Sequence, residues 1–118
     1  HPLALKRKEL ESQGVVQASS LPRGQRGRLI NVAGRVIVRQ RPSTARGFLF
    51  ISLEDETGIA NIVTRPKLFQ QKRLLLVRQP FLIVEGILQK QDNVTSVLAK
   101  RFWPLEIFSD PLPSHDFH

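Results

Sequence analysis

From Leu29 onward the chain crowds or alternates its apolar residues instead of spacing them as a helix does. Leu29 to Arg39 gathers Ile30, Val32, Val36, Ile37 and Val38 around Gly34. That is the composition of a strand with a glycine where strands bulge or bend sharply. Phe48 to Leu53 alternates, with Leu49, Ile51 and Leu53 on one face and Phe48, Phe50 and Ser52 on the other, the period of a half-buried strand. Asp55-Glu56-Thr57-Gly58 reads as a hairpin turn and Ile59 to Thr64 as the returning strand. Pro66 then opens a helix over residues 66–77, at a position where its missing N–H costs nothing. Leu68, Phe69, Leu75 and Leu76 give that helix one apolar side, and it ends before Pro80. Phe81 to Gln89 is a fourth strand, with Leu82, Val84 and Leu88 in phase and Gly86 among them. Asp92-Asn93 turns the chain into a fifth, Val94 to Phe102, whose inward face the pattern leaves open because Val97, Leu98 and Ala99 are consecutive.

Ahead of the strands, residues 3–12 read as a short helix, with Leu3 and Leu10 seven apart and Gly14 as its stop. Ser19 to Gly27 is polar and carries Pro22, Gly24 and Gly27, the signature of a linker. Arg41 to Gly47 is a loop by composition. The order β-β-β-α-β-β after a short helix predicts a mostly all-β chain. It matches a five-stranded OB-fold barrel with a helix between strands 3 and 4 and a short N-terminal helix. Such a barrel closes around Leu49, Ile51, Leu53, Ala60, Ile62, Leu82 and Val84. An SH3-like barrel lacks a place for the 66–77 helix, and an open sandwich needs more strands. The expected division is 1–27 as N-terminal helix and linker from a preceding domain, 28–104 as the OB barrel, and 105–118 as a tail.

A chain of 118 residues suits one such domain. The absence of cysteine excludes a disulfide framework, a thiolate zinc site and a cysteine nucleophile together. No apolar run approaches the ~20 residues that span a bilayer, so no membrane role is expected. His1-Pro2 is neither an initiator methionine nor a secretory signal, which suggests a piece of a longer protein. Charge sharpens the picture. Residues 1–47 hold ten basic against two acidic side chains, whereas residues 48–118 hold eight of each. Arg28 to Arg46 contains five arginines and no acid. A one-sided positive field binds polyanions by releasing counterions, so affinity falls with salt; a solubilising basic face is the alternative. Arginines in a strand pattern favour nucleic acid over anionic lipid, which selects basic amphipathic helices.

If Leu49, Ile51 and Leu53 point inward, Phe48 and Phe50 point out, beside Arg39, Arg41 and Arg46 and on the sheet that carries Arg35. Rings that stack on unpaired bases and cations that track phosphates are what single-stranded nucleic acid requires. Packing of either ring beneath the N-terminal segment or a loop is the alternative. Asn61 shares the outward face of the third strand, where its amide can bond a base edge or water. Lys90 and Gln91 fall in the loop before the fifth strand, where OB folds close over ligands. Catalytic candidates are poor. Glu54-Asp55-Glu56 spans a turn whose side chains diverge, and His115, Asp116 and His118 lie in a proline-containing tail. No base and nucleophile are paired, no phosphate-cradling glycine loop occurs, and neither cofactor nor metal is expected.

The run Val32-Ala33-Gly34-Arg35-Val36-Ile37-Val38-Arg39-Gln40-Arg41-Pro42, with Thr44-Ala45 and then Leu53-Glu54-Asp55-Glu56-Thr57-Gly58-Ile59-Ala60-Asn61, resembles the C-terminal OB region of bacterial error-prone DNA polymerases. These are C-family enzymes similar to the replicative polymerase III α subunit. Ser114 to His118 resembles the family's C-terminus, and His1-Pro2 the junction before its OB domain. The Leu53-to-Gly58 stretch is also similar to anticodon-binding domains of class II tRNA synthetases. The resemblance implies a non-catalytic module of a damage-tolerant DNA-directed DNA polymerase whose magnesium-holding acids lie outside this chain. It implies contact with the single-stranded template, with Phe50 matching a position that stacks on a base and Asn61 one that reads base edges. Arg65 stands where the family usually has an aromatic, exchanging a ring for a phosphate contact, and His115 replaces a usual arginine.

Two functions follow as expectations. The first is a single-stranded DNA-binding module using Arg35, Arg39, Arg41, Arg46, Phe48, Phe50, Asn61, Arg65 and Lys90, monomeric when isolated and cytoplasmic in a bacterium. The second is a protein-docking module for the remainder of the polymerase chain or accessory mutagenesis proteins, anchored by Phe48, Phe50 and Phe108. A third, binding of tRNA, is disfavoured by the Gln40-Arg41-Pro42 run.

Overall fold

The N-terminal apolar residues fold as two short helices, α1 (Pro2–Leu5) and α2 (Arg7–Ser12), broken at Lys6. They lead into a two-residue strand, β1 (Val15–Val16), and a 3-10 helix over Ala18–Arg23. In the computed structural model, which describes residues 1–107, the branched run that follows becomes β2 (Leu29–Gln40). The remaining strands are β3 (Leu49–Asp55), β4 (Gly58–Thr64), β5 (Phe81–Gln91) and β6 (Val94–Pro104). Between β4 and β5 lie α3 (Pro66–Gln71) and α4 (Arg73–Arg78), the expected single helix broken at Lys72.

β2 is long enough to serve two neighbours. Its first half, Leu29 to Arg35, pairs with β5 and its second half, Arg35 to Gln40, with β3, both antiparallel. β3 pairs with β4, β4 runs parallel to β6 through Ile62–Val97 and Val63–Leu98, and β6 returns antiparallel to β5. The ring β2–β3–β4–β6–β5 therefore closes, which removes the sheet edges. This is the five-stranded OB barrel read from the sequence, with the short β1 added parallel to β2.

Two bulges set which side chains face inward. In β2 the register to β3 slips between Val36 and Val38, leaving Ile37 as the extra residue. In β6 it slips opposite Glu85/Gly86, leaving Lys100 as the extra residue. An extra residue reverses the in/out phase beyond it. In β6 the core therefore receives Val97 and Ala99 before the slip and Phe102 after it, which resolves the consecutive apolar residues. Gly34 is not the bulge. A Cβ there would sit 2.9 Å from the Glu54 carbonyl oxygen and from Leu53 Cβ, so glycine lets β3 cross β2 closely.

Leu49, Ile51, Leu53, Ala60, Ile62, Leu82 and Val84 are all buried in the barrel core, as the alternation predicted. The linker expected over Ser19–Gly27 is corrected: its first half is part of a 3-10 helix whose Leu21, with Ala18 just ahead of the stretch, belongs to that same core. Leu3, Leu10 and Val15 form a second buried cluster with Ala33, Phe81 and Ile107 on the outside of the barrel. Residues 1–23 are thus packed on the barrel, not trailing from it. Arg7 fixes them there. Its guanidinium donates to both Glu56 oxygens at 2.6 and 2.9 Å and to Asp55 Oδ2 at 3.3 Å. This pairing holds the Glu56 carboxyl below the usual carboxylate range.

Candidate nucleic-acid interface

The outward face of β3 presents Phe50, Ser52 and Glu54, since Leu49, Ile51 and Leu53 fill the core. Register places Val63 beside Phe50, Asn61 beside Ser52 and Ile59 beside Glu54 on β4. On the β2 side, Gln40 lies beside Phe50 and Val38 beside Ser52. Phe50 is 37 % exposed and Val38 40 %, so the wall is an apolar strip with amide and hydroxyl groups along it. Phe48 stands just before β3, half-buried, its N–H donating to the Ala45 carbonyl at 3.1 Å.

The β2–β3 loop closes one end of this wall. Arg46 takes the left-handed conformation (φ 53°) directly before Gly47 (φ 89°) and is exposed. Two successive left-handed residues reverse the chain tightly, and Gly47 abuts Pro66. Arg41 lies over the Phe69 ring, 4.7 Å from its centroid, a cation–π contact that orients the guanidinium. Arg65 is exposed where β4 runs out, one residue after Thr64 pairs with Leu49. Phe48, Phe50, Arg41, Arg46 and Arg65 therefore gather around the β2–β3 loop and the strand ends it joins.

Three expected site residues lie elsewhere. Arg39 follows the Ile37 bulge, so it pairs with inward-facing Ile51 instead of sharing the face of Phe50. Its guanidinium donates to the Leu76 carbonyl at 2.7 Å and the Gln79 carbonyl at 3.1 Å, capping the end of α4. Arg35 shares the outward face but sits at its far end, bonded to Glu54 Oε1 at 2.8 Å, an oxygen that also meets His1 Nε2 at 3.2 Å. Lys90 and Gln91 belong to β5, not to a loop, and the turn is only Asp92-Asn93, both left-handed. Lys90 Nζ donates to the Pro22 carbonyl at 2.6 Å, fastening the 3-10 helix to the barrel. Asn61 keeps to the outward face, with a long contact of 3.5 Å from Nδ2 to the Thr95 carbonyl.

The acidic triplet is structural. Buried Asp55 accepts from Thr57 N–H, Thr57 Oγ1, Gly58 N–H and the distant Ala18 N–H, at 2.7, 2.7, 3.1 and 2.8 Å. It caps the hairpin turn and docks the N-terminal segment at once. The concentration of positive charge in the first two-fifths of the chain is likewise redistributed. Arg7, Arg35 and Arg39 are engaged internally, whereas α3, α4 and the break between them add Lys67, Lys72, Arg73 and Arg78, all exposed. Sequence reasoning passed over these four, although no acid occurs between Thr57 and Val84. Readings placed on Phe108 and on residues 114–118 lie outside the described residues, and no helix among the described residues is long and apolar enough to cross a membrane.

Residues 30–105 match the family model described as OB-fold nucleic acid binding domain. The error-prone DNA polymerase of Caulobacter vibrioides is 45 % identical over 105 residues, covering 89 % of this chain and 10 % of that protein. That of Anaeromyxobacter dehalogenans is 41 % identical over 119 residues, covering 100 % of this chain and again 10 % of the relative. The chain spans about a tenth of the length of the curated relatives it matches. Among solved structures, asparaginyl-tRNA synthetase from Pyrococcus horikoshii superposes with a TM-score of 0.63 at 20 % identity, over 75 % of this chain and 22 % of that one. A small single-stranded DNA binding protein from Mycoplasma pneumoniae gives 0.56 at 11 % identity, over 64 % and 90 %. These likenesses establish the barrel fold.

Proposed function

We propose, on the premise that this chain belongs to the OB-fold nucleic acid binding domain family, that it binds single-stranded DNA along the outer wall of β3 and β4. The module belongs to an error-prone bacterial DNA polymerase, as its similarity to such enzymes over most of its length supports. It guides the template in the cytoplasm during damage-tolerant synthesis, is monomeric when isolated, and leaves nucleotidyl transfer to residues outside this chain.

One observation carries the reading: an exposed ring, Phe50, lies on an outward apolar strip whose end is ringed by Arg41, Arg46 and Arg65. A base stacks on Phe50 with Val38 and Val63 beside it. Asn61 and Ser52 offer an amide and a hydroxyl to base edges. The three arginines meet phosphates, and none of their side chains is spent on an ion pair among the described residues. Burial of Leu3, Leu10 and Leu21 in its clusters supports counting the N-terminal 23 residues within the same folding unit. The test is a salt series of oligonucleotide binding with an Arg41→Gln/Arg46→Gln/Arg65→Gln variant alongside. Loss of three phosphate contacts lowers the slope of log K against log salt by about 2. Equal affinity and slope in both proteins contradict the reading.

A second reading, docking to the remainder of the polymerase or to accessory mutagenesis proteins, draws on a different wall. Leu29 is 55 % and Trp103 41 % exposed, on the outward face of the β2–β5–β6 sheet with Ile83 and Ile87. Capture of a partner that Trp103→Ala abolishes and the arginine changes spare supports this second role.

A further inference from the structure

Between Thr57 and Val84 the chain holds Arg65, Lys67, Lys72, Arg73 and Arg78 and no acidic residue. All five are exposed, and among the described residues none of their side chains has a hydrogen-bond or ion-pair partner. Lys67, Arg73 and Arg78 ride on α3 and α4, and Lys72 stands at the break between them. At 1.5 Å per residue each of these six-residue helices is about 9 Å long, comparable to the axial rise of about two to three nucleotides of one strand.

This helical face is joined firmly to the arginine loop. Arg41 stacks on Phe69 of α3, Gly47 packs against Pro66, and Arg39 holds the carbonyls at the end of α4. The cations of residues 67–78 therefore sit on helices anchored beside the end of the Phe50 wall. No ring is exposed on the two helices. Phe69 is buried, and the exposed apolar residues are the aliphatic Leu74 and Val77. Exposed cations on a face without stacking rings bind chiefly through the sugar–phosphate backbone, whose contacts carry no sequence information.

We propose that the α3–α4 face is a second, base-independent track for a sugar–phosphate backbone, lengthening the DNA footprint beyond the strip on β3 and β4. Leu74 and Val77 give deoxyribose an aliphatic surface between the charges. The backbone it receives comes from the same single strand running on past the loop, or from a duplex beyond a single-strand junction.

The experiment compares wild type with a Lys67→Gln/Lys72→Gln/Arg73→Gln/Arg78→Gln variant, none of whose positions lies on the Phe50 wall. Three ligands are titrated by fluorescence anisotropy between 50 and 200 mM salt: a strand of about six nucleotides, one of about 25, and a hairpin duplex with an overhang of about six. Binding of the short strand stays within about twofold of wild type, whereas at least one longer ligand loses tenfold or more. Its salt slope falls by about 0.7 per cation on a single strand or 0.9 on a duplex. Loss on the 25-nucleotide strand identifies a continuing single strand, and loss on the hairpin alone identifies a duplex. A charge-keeping variant, Lys67→Arg/Lys72→Arg/Arg73→Lys/Arg78→Lys, restores binding. Wild-type affinity and slope of the glutamine variant on both longer ligands overturn the proposal, as does equal loss on all three. Failure of wild type to hold the short strand would instead count against the Phe50 wall, so the two readings fail separately.

Discussion

Replacing Phe50 with alanine separates stacking from charge more cleanly than any other single change. Phe50 is 37 % exposed, so a little under two-thirds of its surface is covered. Full burial of a phenylalanine is worth about 1.5–3 kcal/mol, so partial burial sets a stability cost of about 1–2 kcal/mol. The barrel closes around other residues and survives this. Loss of one stacked base costs about 1–3 kcal/mol of affinity, or about 5- to 150-fold in Kd. The assay is anisotropy of a labelled oligonucleotide at several salt concentrations, with thermal melts in parallel. Phe50→Leu serves as a control that keeps most of the packing and removes the ring face. Phe50→Ala and Phe50→Leu weaken binding alike while the salt slope stays at its wild-type value, because no phosphate contact is lost. An unchanged Kd in both variants, or a slope that falls as in the arginine variant, refutes stacking at this position.

Arg39→Ala costs about 1 kcal/mol in thermal or urea unfolding, through two lost charge-assisted hydrogen bonds to α4, and leaves the salt slope of DNA binding unchanged. A lower slope without a stability loss reverses that assignment. Gly34→Ala destabilises by about 1–3 kcal/mol, since its Cβ meets the Glu54 carbonyl and the Leu53 side chain at 2.9 Å; a wild-type melting temperature contradicts the close crossing of β2 and β3. Because the folded-state pKa of Glu56 is lowered by Arg7, its contribution is present above the ordinary carboxylate range and is lost as pH falls through the folded value. Urea midpoints of wild type and Glu56→Gln therefore converge as pH falls beneath the ordinary carboxylate range; a difference that persists unchanged into acid refutes the pairing.

The barrel was legible because Leu49, Ile51 and Leu53 alternate without interruption and because glycine, proline and turn residues punctuate the rest. What was hidden depends on single inserted residues. A strand read without the Ile37 bulge puts Arg35, Arg39 and Arg41 on one face, whereas the bulge turns Arg39 toward α4. The Lys100 bulge concealed the inward face of β6 for the same reason. Bulges arise from pairing between distant segments, which local periodicity does not contain. The polar composition of residues 19–27 masked an anchoring residue, Leu21, which is buried in the barrel core beside Ala18, whose N–H donates to Asp55. Lys90 was misplaced by overestimating a turn that Asp92 and Asn93 complete alone. Of the candidate interface, Phe50 and Asn61 followed from alternation, Arg41 and Arg46 from charge in a loop, and Arg65 from the resemblance to the polymerase family. The α3–α4 cations were present in the sequence as a stretch empty of acids, but whole-segment charge totals averaged them away against Glu54, Asp55 and Glu56.

Backbone amide shifts during titration with a short unlabelled DNA strand locate the binding wall directly, and the chain's 13.4 kDa is well suited to the measurement. The largest changes are expected at Val38, Gln40, Phe50, Ser52, Asn61 and Val63 and through Arg41 to Gly47. Changes confined to Leu29, Ile83, Ile87 and Trp103, with the Phe50 wall silent, would contradict the account.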